Sequence, residues 1–225
     1  AKAGARIAVW GRDRAKSDAA VSELEGLGVE AAAFDCAVEN ESEVIDQMKA
    51  TVARFGRVDS CFANAGMGIT KPFLETSVED WEHVQRVNLR GTFLTFREAA
   101  RHMVARGGGG KLVAIASVGS IHGMPRQESY SASKAGITAL VRSVAVELAK
   151  HDIQANTILP GWIATDMTEG ARGWEKLNAT IVQRTPARRW GQPEDFEAIA
   201  VYLASPATRF HTGDVVRLDG GYAIF

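Results

Sequence analysis

Short apolar runs alternate with longer stretches of helical period along this chain. Arg6 to Trp10, Glu30 to Phe34, Val58 to Phe62, Lys111 to Ala116, Ile153 to Ile158 and Asp214 to Leu218 read as strands, each ended by a polar, Gly or Pro position. Between them, Gly11-Arg12-Asp13-Arg14 opens a helix to about Gly26. Val38 to Phe55 carries a helical stripe of Val44, Met48, Val52 and Phe55. Thr76 or Ser77 caps a helix with Glu79 and Asp80 in its first turn, which runs through Trp81, Val84, Val87, Asn88 and Phe93 toward Val104. A helix from Ser129 has Ile137, Leu140, Val141, Val144 and Leu148 on one face and small alanines elsewhere, and Gln192 to Ala204 forms the last helix. Met167 to Arg189 has poor periodicity and is expected to be irregular. The alternation argues for α/β architecture: one doubly wound parallel sheet in a single domain spanning 1–225, with no repeat or linker.

Bulk properties narrow the partner. A chain of 225 residues suffices for one domain with a sizeable core. A net charge of -1 supplies no general attraction to nucleic acid or anionic lipid, so a small molecule is expected. Cys36 and Cys61 show no metal-ligand spacing and suit a reducing, cytoplasmic setting, and no apolar run reaches transmembrane length. Gly107 to Gly110 lacks the Lys-Ser/Thr ending of a phosphate loop and precedes a strand, so it reads as a surface connection.

The chemistry centres on Ser129-Tyr130-Ser131-Ala132-Ser133-Lys134 and on Ser117, thirteen residues before Tyr130. Tyr130 and Lys134 share one helical face, where a cation favours phenolate and equips a tyrosine to exchange a proton with an alcohol oxygen. A Tyr-x-x-x-Lys pair alone is weak, since chance supplies roughly 0.1 per chain of this composition. Its company strengthens it: Ala114-Ile115-Ala116-Ser117, Asn64-Ala65-Gly66, Val87-Asn88-Leu89-Arg90-Gly91 and Pro160-Gly161-Trp162-Ile163-Ala164-Thr165.

In order and spacing these motifs resemble the short-chain dehydrogenase/reductase family over residues 1 to 225, including its 3-oxoacyl-reductase-like and sugar or polyol members. The resemblance implies a Rossmann-like fold and an oxidoreductase that interconverts a ketone and a secondary alcohol with a nicotinamide cofactor. It makes Asn88, Ser117, Tyr130 and Lys134 the catalytic set. Ser117 steadies the substrate oxygen, Tyr130 exchanges the proton, Lys134 lowers the Tyr130 pKa and holds the nicotinamide ribose, and Asn88 keeps a relay water. It places the cofactor against Arg12, Asp35, Cys36, Asn64, Gly66, Tyr130, Lys134, Gly161, Ile163 and Thr165, and the substrate against Ser117, His122, Gln127 and Tyr130.

At the end of the first strand Gly11 stands where an acid selecting NAD is usual, and Arg12 follows, which favours NADP, with NAD as the alternative; Asp13 nearby complicates that choice. Ala63 replaces a second asparagine of the family pattern. Ala1-Lys2-Ala3-Gly4-Ala5 reads as the tail of a helix, and the family's first strand, Gly-rich turn and first helix do not appear, which implies roughly 20 to 30 further residues before it. In the family the segment 167–189 is a mobile lid. The helix from Ser129, apolar on most sides, and the apolar end Tyr222-Ala223-Ile224-Phe225 point to a homo-oligomer, a dimer or the tetramer common in the family. A catalytically silent nucleotide-binding scaffold on the same fold is the alternative function. A serine hydrolase built on Ser117 and His122 lacks the Gly-x-Ser-x-Gly elbow.

Overall fold

The computed structural model describes residues 2–225. Six parallel strands are present: β1 (Ile7–Gly11), β2 (Ala31–Asp35), β3 (Ser60–Ala63), β4 (Gly110–Ile115), β5 (Ile153–Pro160) and β6 (Val215–Leu218). Each coincides with an expected strand to within two residues at either end. They fall into a β1-β2 pair and a β3-β4-β5-β6 sheet, with no ladder between β1 and β3. A cavity of about 230 Å³ separates them, lined by Ala8 and Trp10 on one side and Cys61 and Ala63 on the other.

Right-handed crossovers between parallel strands demand helices on the sheet faces. On one face α2 (Glu41–Phe55), α4 (Gly91–Arg106) and α5 (Glu128–Leu148) cover the inward side chains Leu112 and Ala114 of β4. On the other face α8 (Glu197–Ala204) places Leu203 against Val113 and Ile158. This two-sided burial is why Leu112 to Ile115 of β4 read as a continuous apolar run. Strand β5 is as deeply buried but carries Gln154 and Asn156, whose side chains find partners in Lys111 and the His211 carbonyl. Helix α1 (Arg14–Gly26) packs on β1 and β2.

Several boundaries move for local reasons. Asn40 caps α2 by accepting from the Ser42 amide at 3.2 Å, so the helix starts at Glu41 and not at Val38. Ser77, not Thr76, caps α3 (Val78–Gln85), in a reciprocal capping box with Asp80. The expected continuous helix toward Val104 is interrupted: Arg86–Arg90 form a π-helical turn between α3 and α4, centred on Asn88. Pro193–Phe196 form a 3₁₀ turn before α8, which shortens the expected last helix.

The irregular segment expected at 167–189 holds two short helices, α6 (Glu169–Gly173) and α7 (Glu175–Arg184). Only Ile181 of α7 is buried, so one anchoring side chain left too little apolar period to read. Of the helix tail expected at 1–5, Ala1 lies outside the described residues, and Lys2 to Gly4 form a turn with Gly4 at φ 86°. Among the described residues no helix is long and apolar enough to cross a membrane.

Candidate active site

Strand β4 delivers Ser117 two residues beyond its end, and α5 returns along the sheet to bring Tyr130 and Lys134 back to it. Ser117 and Lys134 are buried, and Asn88 is fully enclosed. Ser117 Oγ accepts from the Gly119 amide at 3.0 Å, which leaves its own proton free. Burial holds the Tyr130 phenol above its ordinary pKa, and the Ser117 hydroxyl beside it, which favours the ionised form, offsets this only in part.

Lys134 Nζ lies 5.6 Å from the centroid of the Tyr130 ring and donates to the Ile115 carbonyl at 2.8 Å. Burial pushes its pKa down to about 8. The expected depression of the Tyr130 pKa by Lys134 is therefore not the dominant effect in this arrangement, because the protein around the half-buried tyrosine desolvates its phenol and the ammonium is directed to a carbonyl.

Asn88 gains its position from the π turn, a local widening that re-aims a side chain without ending the helix. Its Oδ1 accepts from the Met67 amide at 2.8 Å, and its Nδ2 donates to the Met67 carbonyl and to Ser133 Oγ, each at 2.9 Å. Both amide protons are thus taken by protein partners. The relay-water role implied for Asn88 does not fall to those protons; its backbone carbonyl accepts from Thr92 Oγ1 at 2.7 Å and from the Gly91 amide.

The turn after β3 closes against this group. A Cβ on Gly66 would stand 3.2 Å from Lys134 Nζ and 3.4 Å from Asn88 Oδ1, so the bare backbone there lets the loop approach the cation. Asn64 sits exposed at the head of the same turn.

Around the end of β1, a Cβ at Gly11 would meet Ser17 Oγ at 2.7 Å, a contact that rotation of the Ser17 side chain relieves. Asp13 accepts from the Lys16 amide at 3.1 Å and is spent capping α1. Arg12 is exposed and pairs with Glu39 at 3.3 Å; Asp35 lies at the end of β2, 3.7 Å from Arg14. The Cys36 side chain is buried against Val44 and Leu94, where desolvation pushes the thiol up to about 12, so an adenine contact at this position would fall to its backbone.

Past β5, Gly161 is required by packing, since a Cβ there would come within 2.7 Å of Asp219 Cα. Ile163 bridges to Gly191, and the Thr165 amide donates to Thr168 Oγ1 at 3.1 Å. Gln127 Nε2 bonds Thr70 Oγ1, and its Oε1 would lie 2.9 Å from a Cβ on Gly68, so it borders Tyr130 across that glycine.

His122 is half-buried, edge-on to Tyr222 at 6.0 Å, and its Nε2 is buried without a protein partner. Tyr222 continues edge-on to Trp162 and Trp162 to Trp190, while the Arg184 guanidinium lies 4.4 Å from the centre of the Tyr222 ring. This aromatic wall joins residues far apart in the chain, and nothing in local periodicity marks it. Ser133 and Met67 were likewise unmarked, apart from Ser133 falling inside the Tyr-to-Lys turn.

The family profile described as Enoyl-(Acyl carrier protein) reductase matches residues 1–223. The chain is 42% identical over 171 residues to the 2-dehydro-3-deoxy-D-gluconate 5-dehydrogenase of Escherichia coli, covering 76% of this chain and 68% of that one. It is 36% identical over 226 residues to the gluconate 5-dehydrogenase of Gluconobacter oxydans, covering 100% of this chain and 87% of the relative. The crystal structure of a gluconate 5-dehydrogenase from Burkholderia cenocepacia, in complex with NADP and tartrate, superposes with a TM-score of 0.95 at 32% identity, covering 100% of this chain and 88% of that one. With the Ser117, Tyr130, Lys134 and Asn88 cluster at the strand ends of a parallel α/β sheet, these matches make the chain a member of the short-chain dehydrogenase/reductase family.

Proposed function

We propose that the protein is an NADP-dependent oxidoreductase that interconverts a ketone and a secondary alcohol on a polyhydroxy carboxylate, with NAD as the weaker cofactor. The single observation that carries the reading is the group of buried Ser117, Lys134 and Asn88 around the half-buried Tyr130 at the head of β4 and α5. Arg12, Asp35, Asn64, Gly66, Gly161, Ile163 and Thr165 would hold the cofactor, with Lys134 and Tyr130 at its nicotinamide ribose. The open backbone at Gly66 and the absence of an acid at Gly11 support that fit. When bound, the nicotinamide supplies the hydride chemistry.

Ser117 directs its hydroxyl at the substrate oxygen, Tyr130 holds or takes the proton at its phenol oxygen, and Lys134 supplies positive charge beside both. Asn88 braces the Met67 loop against α5. The half-buried His122 and Gln127 offer polar contacts to a hydroxylated substrate, and the substrate class follows the sugar-acid dehydrogenases among the relatives.

The exposed Phe93 and Val104 on α4 and Val146 on α5, with Ile224 and Phe225 at the tail, support a homo-oligomer; light scattering at micromolar concentration is expected to show a dimer or tetramer. The deciding experiment follows absorbance at 340 nm with NADP and gluconate, and compares Tyr130→Phe. Cofactor reduction that falls by at least ~10²-fold in the variant is expected. Cofactor binding without turnover on any sugar acid or polyol would favour the silent scaffold.

A further inference from the structure

Ser133 is fully buried on α5, in the turn between Tyr130 and Lys134. Its Oγ donates to the Tyr130 backbone carbonyl at 2.7 Å and accepts from Asn88 Nδ2 at 2.9 Å. A serine bonding its own helix three residues back is ordinary. One that also receives a side-chain amide from another helix is a strut between the two.

We propose that Ser133 is a positioning residue for the reaction: acting through Asn88, it fixes the loop at Gly66 and Met67 against Lys134. Asn88 brackets Met67 with one donated and one accepted hydrogen bond, so its plane is set by the Met67 peptide. Its second Nδ2 proton has one acceptor, Ser133 Oγ. Without it, a buried N–H has no partner and the amide loses the contact that ties it to α5. The same Oδ1 that accepts from Met67 borders Gly66, and Lys134 Nζ borders the same face of Gly66, 3.2 Å from where a Cβ would stand. Movement of Asn88 is therefore transmitted to the loop that faces the ammonium. Ser133 touches neither the phenol nor the ammonium, so its effect passes through the bracket. Gln85 Nε2, which donates to the Ser129 carbonyl at 2.8 Å, ties the same two helices one turn away and does not touch Asn88.

The inference rests on the oxidoreductase reading for its kinetic consequence and on geometry alone for its structural one, and the test separates them. Amide hydrogen exchange at Met67 reads the bracket directly, and gluconate oxidation with NADP reads the consequence. In Ser133→Ala, Met67 exchange about tenfold faster is expected, with kcat about tenfold lower and KM for gluconate within twofold. Ser133→Thr, which keeps the hydroxyl, restores both. In an Asn88→Ala background, Ser133→Ala adds no further loss. Unchanged Met67 protection in Ser133→Ala would overturn the proposal, as would losses that multiply in the double variant. If Ser133→Ala does not fold, Ser133→Cys, nearly isosteric and a weak hydrogen-bonding group, carries the same measurements. If the native chain leaves gluconate untouched, the functional reading fails and Met67 exchange still decides the strut.

Discussion

Lys134 directs its ammonium at the Ile115 carbonyl, 2.8 Å away, and no carboxylate among the described residues pairs with it. A buried cation held by a neutral oxygen loses its proton easily, and burial brings Lys134 down to about 8 from 10.5. The unfolded chain therefore binds the Lys134 proton more tightly than the folded one between those values. The destabilisation is complete below about pH 8, amounts to roughly 3 kcal/mol, and fades as pH rises toward 10.5. Urea midpoints measured from pH 7 to 10 are expected to rise for the native chain relative to Lys134→Met; parallel curves would contradict the shift. kcat/KM is expected to fall above pH 8 as the charge beside Tyr130 is lost.

Arg12 is exposed and pairs with Glu39, beside Gly11, which carries no acid. Replacing it with Ala is expected to lower kcat/KM for NADP about 10- to 100-fold, the worth of a charge-assisted contact to phosphate, and to leave NAD within threefold. Equal losses with both cofactors would place Arg12 outside the cofactor site.

Gly66 has no strained backbone angle, so Gly66→Ala tests space alone. The added carbon must push on Lys134 Nζ and Asn88 Oδ1, which the buried surroundings restrain. Activity is expected to drop about tenfold while the thermal midpoint stays within a few degrees. An unaffected kcat would show that the loop yields freely.

Ser77 lies on a capping box remote from the chemistry, with Asp80 brought down to about 2 chiefly by the Lys71 hydrogen bond and then by the Ser77 amide. Ser77→Ala is expected to cost about 1 kcal/mol in chemical denaturation and nothing in turnover. Asp80 has a depressed pKa, so its stabilising contacts persist above the ordinary carboxylate range and are lost as pH falls toward 2.

Strand β4 was legible because burial on both faces leaves the apolar run Leu112 to Ile115, and β5 from Ile153, Ala155 and Ile158 with Pro160-Gly161 at its end. The catalytic cluster was legible because Tyr130 and Lys134 sit one turn apart and Ser117 at a strand end. The π turn at Asn88 was not, since an inserted residue leaves the helical stripe nearly intact on either side. Helices α6 and α7 escaped notice for want of buried side chains.

By itself, then, the sequence determined the order of strands and helices, the placing of Tyr130 and Lys134 one helical turn apart, and the lack of an acid at Gly11. These depend on near neighbours and on alternation, which a linear pattern records. Tertiary structure alone decided that Cys36 turns into the core, that Asn88 spends its amide on Met67 and Ser133, and that His122, Tyr222, Trp162 and Trp190 form one wall. Those outcomes depend on which distant segments meet and which polar groups lose water there, and both are settled only when the sheet and its helices have closed.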